Sequence, residues 1–384
     1  QNRLKTVSLY ERYGHNSDMK TKFFLPTEII MGDSCVTGNA AKIASLGKKA
    51  LIVTGKHSAK VCGALDDMTK ALDSVGVGYE IFDKAVPNPT IDSVYDGADA
   101  AKSAGADLII AIGGGSPMDT AKAIALLAAQ DIPRDRLFSG SYGKDILPTV
   151  FVPTTAGTGS EVTQYSILTD DAAKTKKTIA SPEMFPDLAL LDSRYLAAVP
   201  YRTTVNTALD ALSHCIESYL AVRADRLSSL LALDGAREIY RCFPALIAGE
   251  TGKKEYESLQ YGALLGGIVI AQTATTAVHA MGYSLTYFRH IDHGRANGLL
   301  LTEYLRYTEN ALPEKVSELL HGIGAESLDE LGAGIGALLG EKEKFTEKEL
   351  EDYSKIAVTA KNIKNCVAEP DVSALLDIYR KSLI

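Results

Sequence analysis

The stretch DLIIAIGGGSPMDTAKAIALLAAQ, residues 107–130, decides the fold. It opens with a short, nearly continuous apolar run of strand length, passes through three glycines, and continues as a helical pattern. Strand, glycine loop and helix in that order form a βα unit. An apolar side chain at almost every strand position implies a strand covered on both faces. Gly113, Gly114 and Gly115 permit backbone angles and a close approach that a Cβ would block. The spacing predicts Ser116 as N-cap, Pro117 as the first helical residue and Asp119 as the third, a capping box with Asp in place of Glu or Gln. The start of such a helix offers unpaired N–H groups and the positive end of its dipole, a ready seat for a pyrophosphate. The loop is neither GxGxxG nor a GK(S/T) P-loop, so a well-capped tight turn is the plainer alternative.

The same grammar extends on both sides. ALIVT (50–54), GYEIFD (78–83), TVFVPT (149–154) and LALLD (188–192) read as strands separated by helical segments such as DDMTKALDSVG and SVYDGADAAKSAG. That pattern predicts a mostly parallel sheet with helices on both faces. FFLPTEIIM (23–31) reads as a further β-like stretch, at a sheet edge or in a subunit contact. FVPTTAGTGSEVT (151–163) leaves a strand through Thr154, Thr155, Gly157, Thr158, Gly159 and Ser160. It either presents hydroxyls and flexible amides to something polar or is a simple Gly/Thr turn. Gly55, Lys56 and Ser58 follow the strand in ALIVTGKHSAKVCG. An acidic side chain near this point would grip a ribose 2′-hydroxyl and repel a 2′-phosphate. Glycine, a cation and a hydroxyl leave room and charge for that phosphate, so a dinucleotide here is expected to be NADP(H) rather than NAD(H). A solvated basic turn is the bland reading.

After Pro200 the grammar changes. VNTALDALSHCIESYLAV, RLSSLLALDGAREIYRCF, ESLQYGALLGGIVIAQ, EKVSELLHGIG and SALLDIYRKSLI carry helical periods, and convincing β-runs are absent. A chain of 384 residues is too long for one ordinary core. Two domains are therefore expected, α/β over 1–198 and all-helical over 199–384, with a ligand cleft between them.

Asp210 and His214 are four apart on one helical face, and His279 and His293 follow in TTAVHAMGY and IDHGRANGLLL. A hard oxygen and a borderline nitrogen on one face form half of a divalent-cation site, which two later histidines can complete. Three of the seven histidines fall in this set. Such a cation beside a nucleotide would act as a Lewis acid on a substrate oxygen. Cys215 follows His214, but neighbours on a helix point about 100° apart, so it is expected in the core. His290 lies three residues before His293 and can also be read as a ligand.

Composition narrows the classes. Apolar content of 46% and charged content of 23% are those of a soluble globular protein. No apolar run reaches the ~18–20 residues of a membrane span, and the start, QNRLKTVSLYERYGH, is too polar for a signal peptide. A net charge of −8 argues against a nucleic-acid partner. Five scattered cysteines without a CxxC spacing suit the reducing cytoplasm.

Five segments in order, VPNPT (86–90), GGGSPMDTAKA (113–123), VPTTAGTGSEVT (152–163), DALSHCIESY (210–219) and HAMGYSLTYFRHIDHGRANGLLL (279–301), resemble the iron-containing (group III) alcohol dehydrogenase family. The match runs over nearly the whole chain. The resemblance implies a dehydroquinate synthase-like architecture, with an α/β dinucleotide-binding domain followed by an all-α domain. It implies that Asp210, His214, His279 and His293 ligate one metal and act in catalysis through it. The ion would be Fe2+, although the donor set suits Zn2+ as well. Gly114, Gly115, Ser116 and Asp119 match the pyrophosphate loop, and Thr154, Thr155 and Thr158 the cofactor cleft. Asn88 and Lys176 fall where relatives approach the cofactor, with Lys177 adjacent. A small primary alcohol or aldehyde would exchange hydride with NAD(P)(H), in a homodimer. One departure stands out: where some members carry a histidine four residues after the third ligand, this chain has Tyr283, which either donates a hydrogen bond or packs. Tyr283 and Phe288 suggest a small, moderately apolar substrate. The alternatives are a glycerol dehydrogenase-type polyol dehydrogenase and, in another class, a metal-dependent hydrolase with a bound nucleotide.

Overall fold

The computed structural model describes residues 21–170 and 175–384, so the polar stretch at 1–15 lies outside the described residues. The strands are β1 (Glu28–Met31), β2 (Lys49–Thr54), β3 (Gly78–Phe82), β4 (Leu108–Gly113), β5 (Thr149–Pro153), β6 (Tyr165–Asp170), β7 (Thr175–Ala180) and β8 (Leu188–Leu191). Six of them form one sheet in the order β1-β8-β5-β4-β2-β3, parallel throughout. Central β4 is buried at every residue, which is why its sequence shows no polar alternation. In register across the sheet, Ile52, Ile110 and Val150 enter the core on one face. Leu51, Ile109 and Phe151 enter the core on the other. Each such burial contributes about 1.5–3 kcal/mol.

Helix α1 (Ala64–Val75) covers the first face through Leu65, Met68 and Leu72. Helices α2 (Ile91–Ala104) and α3 (Gly115–Ala129) cover the second through Ala101, Met118 and Ile124. The FFLPTEIIM segment does end in an edge strand, β1, which pairs only with β8.

The structure adds an element that the sequence reading lacks. β6 and β7 form an antiparallel hairpin in which Thr169 pairs with Lys176. Its buried β6 positions are Ser166, Leu168 and Asp170. Two of those three are polar, so the period-2 hydrophobic signal of a half-buried strand is missing.

The capping box at the glycine loop is also corrected. α3 begins at Gly115 with Gly114 as N-cap, and no side chain caps it. The Asp119 carboxylate turns outward instead and accepts hydrogen bonds from Ser160 Oγ (2.8 Å) and Ile167 N–H (3.1 Å). A tertiary contact has displaced the local one.

From Tyr201 onward the described chain consists of helices joined by loops, and its β pairing is one isolated bridge, Ala221 to Cys366. The helices that position the site are α4 (Tyr201–Tyr219), α5 (Lys253–Thr273), α6 (Ala277–Arg289) and α7 (His293–Ala311). They share their own core, including Leu209, Leu212, Ile216 and Val269. A separate apolar seam joins the two halves: Val162, Ala189 and Leu191 on the sheet side meet Leu264, Leu265 and Ile268 of α5. Among the described residues no single helix is long and apolar enough to cross a membrane.

Candidate active site

Asp210 and His214 project one turn apart from α4, His279 is the third residue of α6, and His293 is the first of α7. The fold brings all four together. The Nε2 atoms of His214, His279 and His293 lie 3.9, 3.8 and 3.9 Å from one atom, Asp210 Oδ1. Ligand atoms of Asp210, His279 and His293 are all within 4.8 Å of one another. The His214 ring stacks on that of His279, centroids 4.8 Å apart. These separations are too long for hydrogen bonds. They resemble the ~3.5 Å between ligands bound at about 2.1 Å to one tetrahedral ion.

Close backbone packing makes this convergence possible. A Cβ on Gly294 would lie 1.9 Å from the Asn206 carbonyl oxygen and 2.9 Å from Asp210 Cβ. Only glycine therefore lets the start of α7 approach α4 so closely. Asn206 Nδ2 donates to Asp292 Oδ2 (2.8 Å) and ties the same two helices together. Asp210, His214 and His279 are buried, while the His293 side chain keeps 26% of its surface open. The site opens past His293. Tyr283 stacks on that ring, centroids 5.6 Å apart and planes 10° from parallel, and so forms its wall.

The electrostatics suit a cation. Burial works against the Asp210 carboxylate, but the three imidazoles and the Asn297 amide outweigh it and hold it below the usual range. Burial keeps His214 below its ordinary value and pushes His293 down to about 3, so both rings are neutral and retain a lone pair. Burial pulls His279 the same way, but the adjacent Glu217 carboxylate outweighs it and makes that ring more basic. Nδ1 of His293 has no hydrogen-bond partner among the described residues, and His214 has the Gly157 backbone beside it. Buried, convergent imidazole nitrogens with one carboxylate fit a divalent ion of the Fe2+ or Zn2+ kind.

The glycine loop and the threonine loop face each other at the carboxyl ends of β4 and β5. A Cβ on Gly114 would come within 2.9 Å of Thr155 Oγ1, and one on Gly115 within 2.7 Å of Thr158 Cγ2. The side-chain-free cradle and uncapped helix start fit a pyrophosphate. Ser116 lies in the first turn and is half-buried, and Thr154 N–H donates to the Gly113 carbonyl (2.9 Å). Asp119 sits behind the loop, where it holds Ser160 in place. Gly55, Lys56 and Ser58 lie beyond the end of β2, the strand next to β4, with Lys56 and Ser58 exposed.

The threonine loop also reaches the helical half, since a Cβ on Gly157 would lie 2.7 Å from Thr207 Cβ, one turn before Asp210. Asn88, at φ 57°, offers its carbonyl to Oγ1 of Thr169, the strand partner of Lys176. The two adjacent lysines separate cleanly. Lys177 pairs with Asp170 at 2.7 Å on one face of the hairpin. Burial lowers Lys176, and the charges of Asp119 and Asp210 act on it from both sides of the cleft.

Other expectations divide. Cys215 is a buried core thiol, and His290 is an exposed helix C-cap. Phe288 does not face the site, because it is exposed and stacks on Tyr353. Three polar groups at the site were missed from sequence. The Glu217 carboxylate contacts Thr276 and His279. Asn297 Nδ2 lies 2.9, 3.2 and 3.3 Å from Asp210 Oδ1, His279 Nε2 and His293 Nε2. Buried Lys122 holds Ser160 Oγ, Thr163 Oγ1 and the Tyr165 carbonyl. A signal existed for the first two: Glu217 continues the Asp210/His214 face at seven residues from Asp210, and Asn297 lies one turn after His293.

A parallel sheet with a phosphate-type loop, facing a helical bundle with a cation-type cluster, defines a two-part protein with sites suited to a nucleotide and a metal. Sequence and structural comparisons identify the family. Residues 26–193 match the iron-containing alcohol dehydrogenase model, and residues 204–383 match the C-terminal model of the Fe-containing alcohol dehydrogenase family. The chain belongs to the iron-containing alcohol dehydrogenase family. It is 30% identical to an NAD-dependent methanol dehydrogenase of Bacillus methanolicus, over 93% of this chain and 98% of that protein. It superposes with TM-score 0.87 on an iron-containing alcohol dehydrogenase of Thermotoga maritima, at 38% identity, covering 94% and 99% of the two chains. A sulfoacetaldehyde reductase of Bifidobacterium kashiwanohense in complex with NAD+ also aligns at TM-score 0.87, with 27% identity over 95% and 99%. The chain is an NAD(P)-dependent oxidoreductase of alcohols and aldehydes.

Proposed function

We propose that Asp210, His214, His279 and His293 together hold one divalent cation, Fe2+ in the cell, and that the enzyme interconverts a small primary alcohol and its aldehyde. The observation that carries this reading is the meeting of three imidazole nitrogens 3.8–3.9 Å from one carboxylate oxygen. When bound, the cation would supply Lewis acidity to the substrate oxygen. The chain's own residues do the rest. Gly114, Gly115 and Ser116 seat the pyrophosphate, with Asp119 bracing the loop from behind. Thr154, Thr155 and Thr158 line the dinucleotide's path, and Asn88 and Lys176 approach it from the hairpin side. Tyr283 walls the substrate space and, with the buried helices, excludes water from the hydride path.

We assign residues 1–198 to the dinucleotide domain and 199–384 to the metal and substrate domain. We assign NADP(H) as the preferred nicotinamide, because Gly55, Lys56 and Ser58 follow β2 without an acidic group. Relatives named for NAD argue the other way, so this preference is the sharpest point of the proposal. A homodimer through the β1 edge and a cytoplasmic location, in keeping with five free thiols, complete the reading.

The test is the rate of NADPH and NADH oxidation with a panel of short primary aldehydes, on protein reconstituted with Fe2+ or Zn2+. The expected outcome is metal-dependent reduction with kcat/KM at least about tenfold higher for NADPH, equivalent to ~1.4 kcal/mol. A tenfold preference for NADH would overturn the cofactor assignment, and full activity in chelator-stripped protein would overturn the metal role.

A further inference from the structure

We infer that Glu217 is the positioning residue that makes His279 a metal ligand, by holding its ring in the one tautomer that aims a lone pair into the cluster. The inference deepens the four-ligand reading above and rests on it.

Glu217 is fully buried on α4, on the face that carries Asp210 and His214. Its carboxylate contacts no other described residue that competes with the start of α6. Oε1 accepts from Thr276 N–H (2.8 Å), Thr276 Oγ1 (2.7 Å) and His279 N–H (3.3 Å). Oε2 meets His279 Nδ1. An ionised carboxylate can only accept hydrogen bonds, so the ring proton belongs on Nδ1. Nε2 then carries the lone pair, and it is Nε2 that lies 3.8 Å from Asp210 Oδ1.

The same carboxylate caps α6 from outside. Thr276 is the N-cap and makes no side-chain cap of its own. A negative group at this end also favours the helix dipole. One side chain therefore fixes the height, rotation and tautomer of the ligand ring. The other two rings have no carboxylate behind them: His214 has only the Gly157 backbone within reach, and Nδ1 of His293 has no partner among the described residues. A carboxylate behind a metal-bound histidine orients the ring and raises its basicity. Here that role falls on a residue of the helix that already supplies two ligands.

The rival explanation is that Glu217 serves only as a helix cap, and Glu217→Gln separates the two. The amide oxygen can still accept from Thr276, but its NH2 then faces His279 Nδ1 and forces the proton onto Nε2. The experiment strips the enzyme of metal and titrates it with Co2+, following the d–d absorption bands in competition with a chelator. Glu217→Gln is expected to weaken Co2+ binding by about 10–100-fold, while the unfolding midpoint of the metal-free variant stays within a few degrees of wild type.

Thr276→Val is the companion variant. It removes part of the cap and keeps the contact between Glu217 and His279, so it should lose stability while holding Co2+ within about threefold of wild type. Glu217→Gln with wild-type Co2+ affinity and a lowered midpoint would show a cap alone and overturn the inference. So would a Thr276→Val affinity as poor as that of Glu217→Gln. Failure of the wild-type chain to take up one Co2+ would overturn the four-ligand reading together with this one.

Discussion

Two buried polar clusters flank the cleft, and they are built on opposite principles. Around Lys122 the polar contacts close at hydrogen-bond length. Its Nζ donates to Ser160 Oγ (2.7 Å), Tyr165 O (2.9 Å) and Thr163 Oγ1 (3.1 Å), and Asp119 takes Ser160 Oγ and Ile167 N–H. Around Asp210 three imidazole nitrogens stop 3.8–3.9 Å short of the carboxylate oxygen. The first cluster is complete in protein atoms alone and can serve as scaffold for the two cofactor loops. In the second, the Asn297 amide nitrogen approaches three of the four acceptors, at 2.9, 3.2 and 3.3 Å, and its two hydrogens cannot satisfy a carboxylate and three imidazole lone pairs together. Buried polar groups are normally paired, so unspent convergence marks the place where a ligand is expected.

The strongest test of this contrast removes the shared oxygen. Asp210→Ala should abolish stoichiometric metal binding and lower kcat/KM by roughly 10³–10⁵-fold, the several kcal/mol that a Lewis acid supplies to the transition state. The metal-free variant should also be less stable than metal-free wild type by about 1–3 kcal/mol, because Asn297 loses its acceptor and the favourably placed carboxylate is gone. Metal content per chain and thermal unfolding measured side by side decide the matter. Wild-type metal content would show that the 3.8–3.9 Å geometry is incidental.

Lys122→Met addresses the other cluster and should give a different profile. It leaves Ser160 Oγ, Thr163 Oγ1 and the Tyr165 carbonyl without their donor and takes a cation from beside Asp119 and Glu161, and buried groups left unsatisfied cost about 1–3 kcal/mol each. Stability should fall by that order and KM for the dinucleotide should rise, because Ser160 and its loop lose an anchor. Metal content per folded chain should not change. Denaturant unfolding with a metal assay distinguishes the profiles, and a loss of metal in Lys122→Met would show that the clusters are coupled rather than separate.

The same contrast explains how much the sequence could reveal. The sheet was legible because β4 and its neighbours are buried on both faces and so carry apolar runs. Asp210, His214, His279 and His293 were legible because a rare residue type was concentrated on helical patterns. The hairpin of β6 and β7 was not, since its buried side is mostly polar and forms part of the Lys122 cluster. Asp119 misled for a related reason: its spacing from Ser116 satisfies a local capping rule, but a residue 41 positions away, Ser160, claims the carboxylate. Glu217 and Asn297 have ordinary residue types for a helix, and only tertiary contact with the ligand rings distinguishes them.

The smallest expected effect probes how fully the Lys122 cluster satisfies itself. Glu161 is buried beside it, and burial pushes its carboxyl up to about 7, against a partial pull downward from its own backbone amide and from Lys122. Between the ordinary value of 4.5 and about 7, the folded chain keeps a proton that the unfolded chain has lost. Protons bound in the unfolded state are then fewer than in the native state, so stability declines as pH rises through that window and levels off above it. The full decline amounts to about 3 kcal/mol. Glu161→Gln removes it but buries a carboxamide, which costs about 1 kcal/mol. The variant should therefore match wild type near pH 5 and be more stable by about 2 kcal/mol at pH 7.5, a rise of roughly 2–4 °C in Tm. Differential scanning calorimetry at the two pH values measures that divergence. A variant less stable at pH 7.5 than at pH 5, relative to wild type, would mean that Lys122 and Glu161 form a net stabilising ion pair, and that the scaffold cluster depends on the charge it buries.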